Sequence, residues 1–181
     1  MIRVIGGQAK RRKLYGPSGQ KFRPATGIVK EFIFSYLQLK IMNASVLDLF
    51  AGSGSLGIEA LSRGASFVHF IDRSEYSVNI IKKNLVLCNF THKSSIIKDN
   101  VFTQLPRLSR KGISFNFILA DPPFKDNLRE KIVRYIDEYN LLKNYGLLFV
   151  KHSKGDSDTR KQGLRMIKQR NFGINVISIY S

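Results

Sequence analysis

The stretch Val46-Leu47-Asp48-Leu49-Phe50-Ala51-Gly52-Ser53-Gly54-Ser55-Leu56-Gly57 constrains the fold more than any other part of the chain. It reads as an apolar strand that runs through a glycine-rich turn into a helix, and glycines at such a turn let a ligand approach the backbone closely. The surrounding sequence agrees. From 45 to 151, short β-branched or aromatic runs alternate with amphipathic segments, which predicts strands at 45–50, 67–72, 94–98, 115–120 and 146–151 with helices between them. The helix after Asp72 is the clearest: Ser74 can cap it, and Val78, Ile81, Leu85 and Cys88 recur at helical spacing. Two closing strands at 164–167 and 175–180 complete a seven-stranded sheet. The expected fold is therefore α/β, a doubly wound, mostly parallel, Rossmann-like sheet over 43–181.

Ahead of that core, residues 1–42 read as a small extension: short strands at 2–5 and 13–15 around Gly6-Gly7, a loop holding Pro17, Gly19 and Pro24, and a helix over 27–40. A chain of 181 residues suits one domain with one core. The outlying property is charge. Thirty Lys and Arg against 13 Asp and Glu give a net charge of +17, which suits a polyanionic partner, a nucleic acid first of all. Nine of those bases but only one acid, Glu31, fall within the first 40 residues, so the extension is the basic part. No stretch is long and apolar enough to span a membrane, and the first residues lack a secretory signal, which makes the cytoplasm the expected location. The single cysteine, Cys88, cannot form an internal disulfide, and His69, His92 and His152 show no ligand spacing, so no metal is expected. No surplus of apolar surface is evident, and a monomer is expected.

Taken literally, Gly52, Gly54 and Gly57 satisfy G-x-G-x-x-G, and Asp72 ends the next strand where a ribose-binding carboxylate belongs, so a dinucleotide dehydrogenase is one reading. Asp48 argues against it. A carboxylate beside the turn repels a pyrophosphate but attracts the cationic methionyl end of S-adenosylmethionine. Asp99, after the third strand, stands where an adenine amino group needs an acceptor. Phe50, Ala51, Gly52, Ser53 and Gly54 of the turn, with Asp48, Asp72, Arg73, Asp99 and Asn100, are thus the candidate cofactor residues.

The strand at 115–120 delivers Asp121-Pro122-Pro123-Phe124 at its carboxyl end, the edge where open α/β sheets hold their sites. A base amino nitrogen is a poor nucleophile because its lone pair is delocalised into the ring, so catalysis must act mainly on the acceptor. The Asp121 carboxylate and the Pro122 carbonyl can accept both N–H bonds, Pro122 and Pro123 stiffen the backbone, and Phe124 offers a face for an unstacked base. Asp at the first position fits guanine, whose N2 and N1 edges present donors. A cytosine C5 mechanism needs a nucleophilic cysteine, and Cys88 falls within a helix instead.

With both motifs in place the chain resembles the RsmD family of bacterial small-subunit ribosomal RNA methyltransferases. The resemblance rests on Ile5-Gly6-Gly7, Arg12-Lys13-Leu14, Phe22-Arg23-Pro24, Lys30-Glu31 and Phe34, on the run from Leu47 to Ala65, and on Asp121-Pro122-Pro123-Phe124. It implies a class I methyltransferase that moves a methyl group from S-adenosyl-L-methionine to the exocyclic N2 of a guanine in 16S rRNA, of the guanine-966 type. S-adenosyl-L-homocysteine would be released, and the substrate would be the assembled small ribosomal subunit. Arg11, Arg12, Lys13, Arg23 and Lys30 would then be RNA contacts. The chain departs from the family pattern at Gly27 and Ile28, at Arg11, where glycine is usual, and at Lys151, where an acid is common. Adenine N6 methylation of DNA or RNA, and a catalytically silent RNA-binding or assembly protein, remain the competing readings.

Overall fold

The computed structural model describes residues 2–16, 27–123, 128–154 and 163–181. A two-stranded antiparallel ribbon, β1 (Ile2–Arg3) with β2 (Lys13–Leu14), precedes helix α1 (Gly27–Leu37). The core alternates β3 (Ser45–Leu49), α2 (Ser55–Ser62), β4 (Phe67–Asp72), α3 (Glu75–Cys88), β5 (Ser94–Lys98), α4 (Val101–Arg110), β6 (Phe115–Ala120) and α5 (Leu128–Glu138). It then closes with β7 (Leu142–Ser153), β8 (Met166–Phe172) and β9 (Asn175–Tyr180). The seven-stranded sheet has the order β5-β4-β3-β6-β7-β9-β8; β3 to β7 are mutually parallel, and β9 runs antiparallel to both its neighbours.

Strand residues alternate between two cores, as a pleat with helices on both faces requires. Val46, Val68, Phe70, Phe117, Leu119, Phe149, Ile177 and Ile179 pack with residues of α1, α2 and α3. Leu47, Leu49, Ile71, Ile118, Leu148, Val150 and Tyr180 pack with residues of α4 and α5. From β3 the chain moves outward through β4 and β5 and then returns to place β6 on the other flank of β3. The β3/β6 junction is therefore the topological switch point, where the loops leaving the two carboxyl ends diverge and a crevice opens.

The strands expected at 2–5, 13–15 and 45–50 each end one or two residues early, and three other elements differ more. The helix expected over 27–40 is α-helical only to Leu37, after which Gln38, at φ 43°, turns the chain into a 3-10 turn (Gln38–Ile41). The strand expected at 146–151 begins at Leu142, which pairs with Phe115 ahead of a register shift, and Tyr145 within the irregular stretch sits at φ 61°. The strand expected at 164–167 is Met166–Phe172, whose outer residues are nearly all exposed and so lack apolar alternation.

The ribbon is fastened to α2 rather than merely tethered. Glu59 is fully buried, and its carboxylate accepts the backbone N–H groups of Ile5 and Gly6 at 2.8 Å each and pairs with Arg63 at 2.8 Å. Lys30 of α1 completes the cluster, 3.6 Å from Glu59 and bonded to the Arg3 carbonyl. The Ser62 hydroxyl accepts the Ala9 N–H at 2.9 Å. Gly7, at φ 73°, passes so close that a Cβ there would lie 1.7 Å from the Ser62 carbonyl, so only glycine fits. The helix that follows the glycine-rich turn is thus also the platform for the N-terminal ribbon.

Candidate active site

The turn after β3 is built from an unusual run of left-handed residues: Phe50 at φ 55°, Gly52 at 56° and Gly54 at 73°. Glycine adopts this region freely, but at Phe50 the conformation costs about 1–2 kcal/mol, a strain of the kind that surrounding structure must hold in place. Two carboxylates do so. Asp72 accepts the Gly52 N–H at 2.8 Å and the Ser74 N–H at 2.9 Å, locking the turn to the end of β4. Asp48 accepts the Gly57 N–H at 2.9 Å from beneath the first turn of α2. Gly57 lets that helix lie against the sheet, since a Cβ would meet the Phe70 ring at 2.3 Å.

Asp48 is 1% exposed. Burial pushes its carboxyl well above the usual range; the Gly57 N–H works the other way, and the neighbouring charges of Asp121 and Asp72 raise it further. Three carboxyl groups therefore converge on the mouth of the switch point. Such a place repels a pyrophosphate and is eased by a cation, which fits the sulfonium and amino groups of S-adenosylmethionine and not a nicotinamide dinucleotide.

The outer candidates have mixed positions. Ala51, Ser53 and Gly54 are buried in the turn, and Arg73 is exposed just past Asp72. The Asp99 N–H reaches the Asp72 carbonyl at 3.2 Å, so the two strand ends are tied. Its carboxylate is held by Gln104 at 2.5 Å, Arg107 at 3.1 Å and the Asn100 N–H at 2.6 Å, and the Gln104 hydrogen bond leads in lowering its pKa. Asn100 caps α4 by accepting the Phe102 N–H. Phe102 stands edge-on to Phe50 with centroids 6.2 Å apart, an aromatic wall at the rim of the turn.

Asp121 leaves β6 opposite this turn, its N–H directed at the Leu49 carbonyl of β3. Lys151, from β7, donates to Asp121 Oδ1 at 2.6 Å, both side chains being largely buried. The pair lines a small apolar crevice of about 10 Å³ together with Val29, Ile33, Leu56, Phe149 and Ile177, room for a water and not for a base. Pro122 is buried and Pro123 exposed. Phe124 lies outside the described residues, as does Arg23.

Arg11, Arg12 and Lys13 are exposed on the ribbon. Arg11 holds φ 71°, a left-handed backbone that glycine adopts more readily, and Arg12 Nη1 donates to the Leu87 carbonyl at 2.7 Å. Lys30 is placed otherwise than the sequence reading expects. It is 2% exposed, burial lowers its pKa against the raising influence of Glu59, and its ammonium is spent between Glu59 and Arg3, so it supports the ribbon and presents no charge to RNA.

Three residues that the sequence did not single out as part of a site join it through long-range contacts. Lys151 was legible only as a departure from the family pattern. Glu59 looks like one more helix residue. Asn84, fully buried in α3, donates to the Ser53 carbonyl and the Tyr15 carbonyl at 2.9 Å each and accepts the Tyr15 N–H at 2.8 Å. It joins the end of the basic ribbon to the glycine-rich turn. His69, bonded to Ser95 at 2.6 Å, and His152, bonded to Ser178 at 2.8 Å, are buried or half-buried parts of the sheet.

A seven-stranded sheet of this order, with a carboxylate-held glycine turn after one strand and Asp-Pro-Pro after the adjacent one, defines an S-adenosylmethionine-dependent methyltransferase. The chain belongs to the family described as conserved hypothetical protein 95, whose model matches residues 2–181. It is 33% identical over 180 residues to the Bacillus subtilis protein YlbH, covering 99% of this chain and 98% of that one. It is 31% identical to the ribosomal RNA small subunit methyltransferase D of Haemophilus influenzae, covering 99% of this chain and 93% of that one. The solved structure of yhhF from Escherichia coli superposes with a TM-score of 0.87 at 31% identity, over 99% of this chain and 96% of the other.

Proposed function

We propose that the protein methylates the N2 amino group of a guanine in small-subunit ribosomal RNA; the names of its relatives and its net charge of +17 support the ribosomal RNA substrate, and the Asp-Pro-Pro stretch supports an amino acceptor. The observation that carries the chemistry is the Asp121 carboxylate, fixed by Lys151 at 2.6 Å and set across the switch point from the Asp48–Asp72 turn.

S-adenosylmethionine, when bound, supplies an electrophilic methyl group on a sulfonium. Asp48, Asp72 and the turn they hold would receive it, with Asp99 and the Phe50–Phe102 wall on the side of its adenosine. The residues around Asp121 act on the acceptor. With Oδ1 engaged by Lys151, Oδ2 and the Pro122 carbonyl accept the two N–H bonds of the amino group, which favours a pyramidal nitrogen whose lone pair is free to attack. Once methylated by the bound donor, that nitrogen would pass its surplus proton along its hydrogen bond to the Asp121 carboxylate. The Lys151 ammonium holds the carboxylate in place beside two other acids. Val29, Ile33 and Phe149 back the Asp121–Lys151 pair with apolar surface.

Asp121→Asn keeps the shape and removes the charge. Methyl transfer to small-subunit particles is expected to fall by about 10²–10³-fold while calorimetric binding of S-adenosylmethionine persists. Unchanged transfer would remove Asp121 from the reaction.

A further inference from the structure

The far edge of the sheet carries a feature that the ribbon and the candidate active site do not use. Strand β8 has its outer side unpaired among the described residues, contains Lys168 and Arg170 and no acid, and is exposed along nearly its whole length. Its basic side chains do not simply extend into solvent. Lys168 Nζ lies 5.1 Å from the Tyr36 ring centroid, and the Arg170 guanidinium lies 5.8 Å from that of Phe32. Phe32 in turn packs on Phe172 at 5.3 Å and on Tyr36 at 6.4 Å. Phe32, Tyr36 and Phe172 are all only half-buried, so cations and ring surface alternate along one face shared by α1 and β8.

This face lies beside residues that pack around Asp121. Val29 and Ile33 of α1 line the crevice at Asp121, and Phe32 and Tyr36 stand beside them on the same helix. Phe149, another lining residue, meets Tyr36 edge-on at 6.0 Å. Counted across the sheet, β8 is three strands from β6, or about 14 Å at the usual spacing of strands. A few nucleotides can span that distance.

We infer that the α1/β8 face binds a single-stranded stretch of RNA flanking the nucleotide that is presented to Asp121. The inference rests on the proposed RNA substrate and extends it to a second surface, away from the N-terminal ribbon. Positive charge tracks the backbone of such a strand while half-exposed rings offer stacking for any base, the combination that single-strand binding surfaces use. Charge complementarity selects this partner over a protein strand added to the β8 edge. A lone row of charges would serve to block edge pairing, but that role needs no ring under each cation.

The test compares the full-length protein with Lys168→Glu/Arg170→Glu and with the milder Lys168→Gln/Arg170→Gln, which covers the case in which the reversal fails to fold. Affinity for a fluorescent single-stranded RNA oligonucleotide of mixed sequence is measured across a salt series, beside calorimetric binding of S-adenosylmethionine. The neutral variant should bind the oligonucleotide about tenfold more weakly at low salt, with a salt slope lower by about 1.4, the value for two lost phosphate contacts on a single strand. The charge reversal should do more, and cofactor binding should not change. Unchanged affinity and slope would overturn the inference, as would failure of the wild-type protein to bind the oligonucleotide. Unchanged RNA affinity with new self-association in light scattering would assign the charges to edge protection and also overturn it. A wild-type protein that methylates no RNA, yet loses oligonucleotide binding in both variants, would sink the proposed reaction and leave this surface standing.

Discussion

The two sides of the switch point are held by different means. On the cofactor side, carboxylates grip the chain's own backbone nearby: Asp48 reaches Gly57 nine residues on, and Asp72 reaches Gly52 twenty residues back. On the acceptor side, support comes from afar. Lys151 is 30 residues from Asp121, Glu59 is 53 and 54 residues from the ribbon N–H groups it binds, and Asn84 is 69 residues from Tyr15. The first side is built within the β3–α2–β4 stretch alone. The second draws on β7, α2 and α3, and it sets how the Asp121 carboxylate and the N-terminal ribbon are placed.

The largest effect should come from the long-range support. Glu59→Ala leaves Lys30 buried without its carboxylate partner and frees two backbone donors, so a loss of about 3–5 kcal/mol is expected in denaturant unfolding. A loss of under 1 kcal/mol would show that the ribbon is not fastened as described and would dissolve the contrast.

Lys151→Met sharpens the contrast by leaving the cofactor side untouched. It should lower kcat by about 10–100-fold through misplacement of Asp121, with the affinity for S-adenosylmethionine unchanged and partial recovery in Lys151→Arg. Equal loss in the arginine and methionine variants would mean that volume, and not the ion pair, matters.

Asp48 tests the local side through pH. Its carboxyl is raised in the folded state, so the ligand-free protein loses stability as pH climbs from the ordinary carboxylate range toward the raised value. Asp48→Asn should therefore raise the Tm of ligand-free protein at neutral pH, with the gain vanishing in acid, and should weaken S-adenosylmethionine binding. A destabilised variant at neutral pH would show that the charge of Asp48 is already compensated within the protein.

The smallest effect belongs to the ribbon. Arg11→Gly relieves a left-handed arginine and should gain about 1 kcal/mol, or 2–4 °C in Tm. A decrease in Tm would mean that the arginine side chain contributes more than its backbone strain removes.

The same contrast explains what the sequence revealed. Strands β4, β5 and β6 have the bounds expected from their apolar runs, and the Asp-Pro-Pro tripeptide and glycine turn were readable because their chemistry lies in adjacent residues. Strand β8 was mostly missed because its residues face solvent and carry no alternation. Lys30 was misjudged because a lysine's charge is visible in sequence whereas the burial that neutralises its use is not; its partner Glu59 comes from another helix. Lys151 drew notice only as an unexpected residue, since its meaning depends on the pairing of β6 with β7.

In the proposed reaction Asp121 presents a guanine amino group to the methyl donor. The most direct test is transfer of labelled methyl from S-adenosylmethionine to small-subunit particles from cells lacking this protein, followed by nucleoside analysis of the RNA. The account predicts N2-methylguanosine as the labelled product, absent with Asp121→Asn. Labelled N6-methyladenosine, or no transfer by a protein that binds the cofactor, would contradict it.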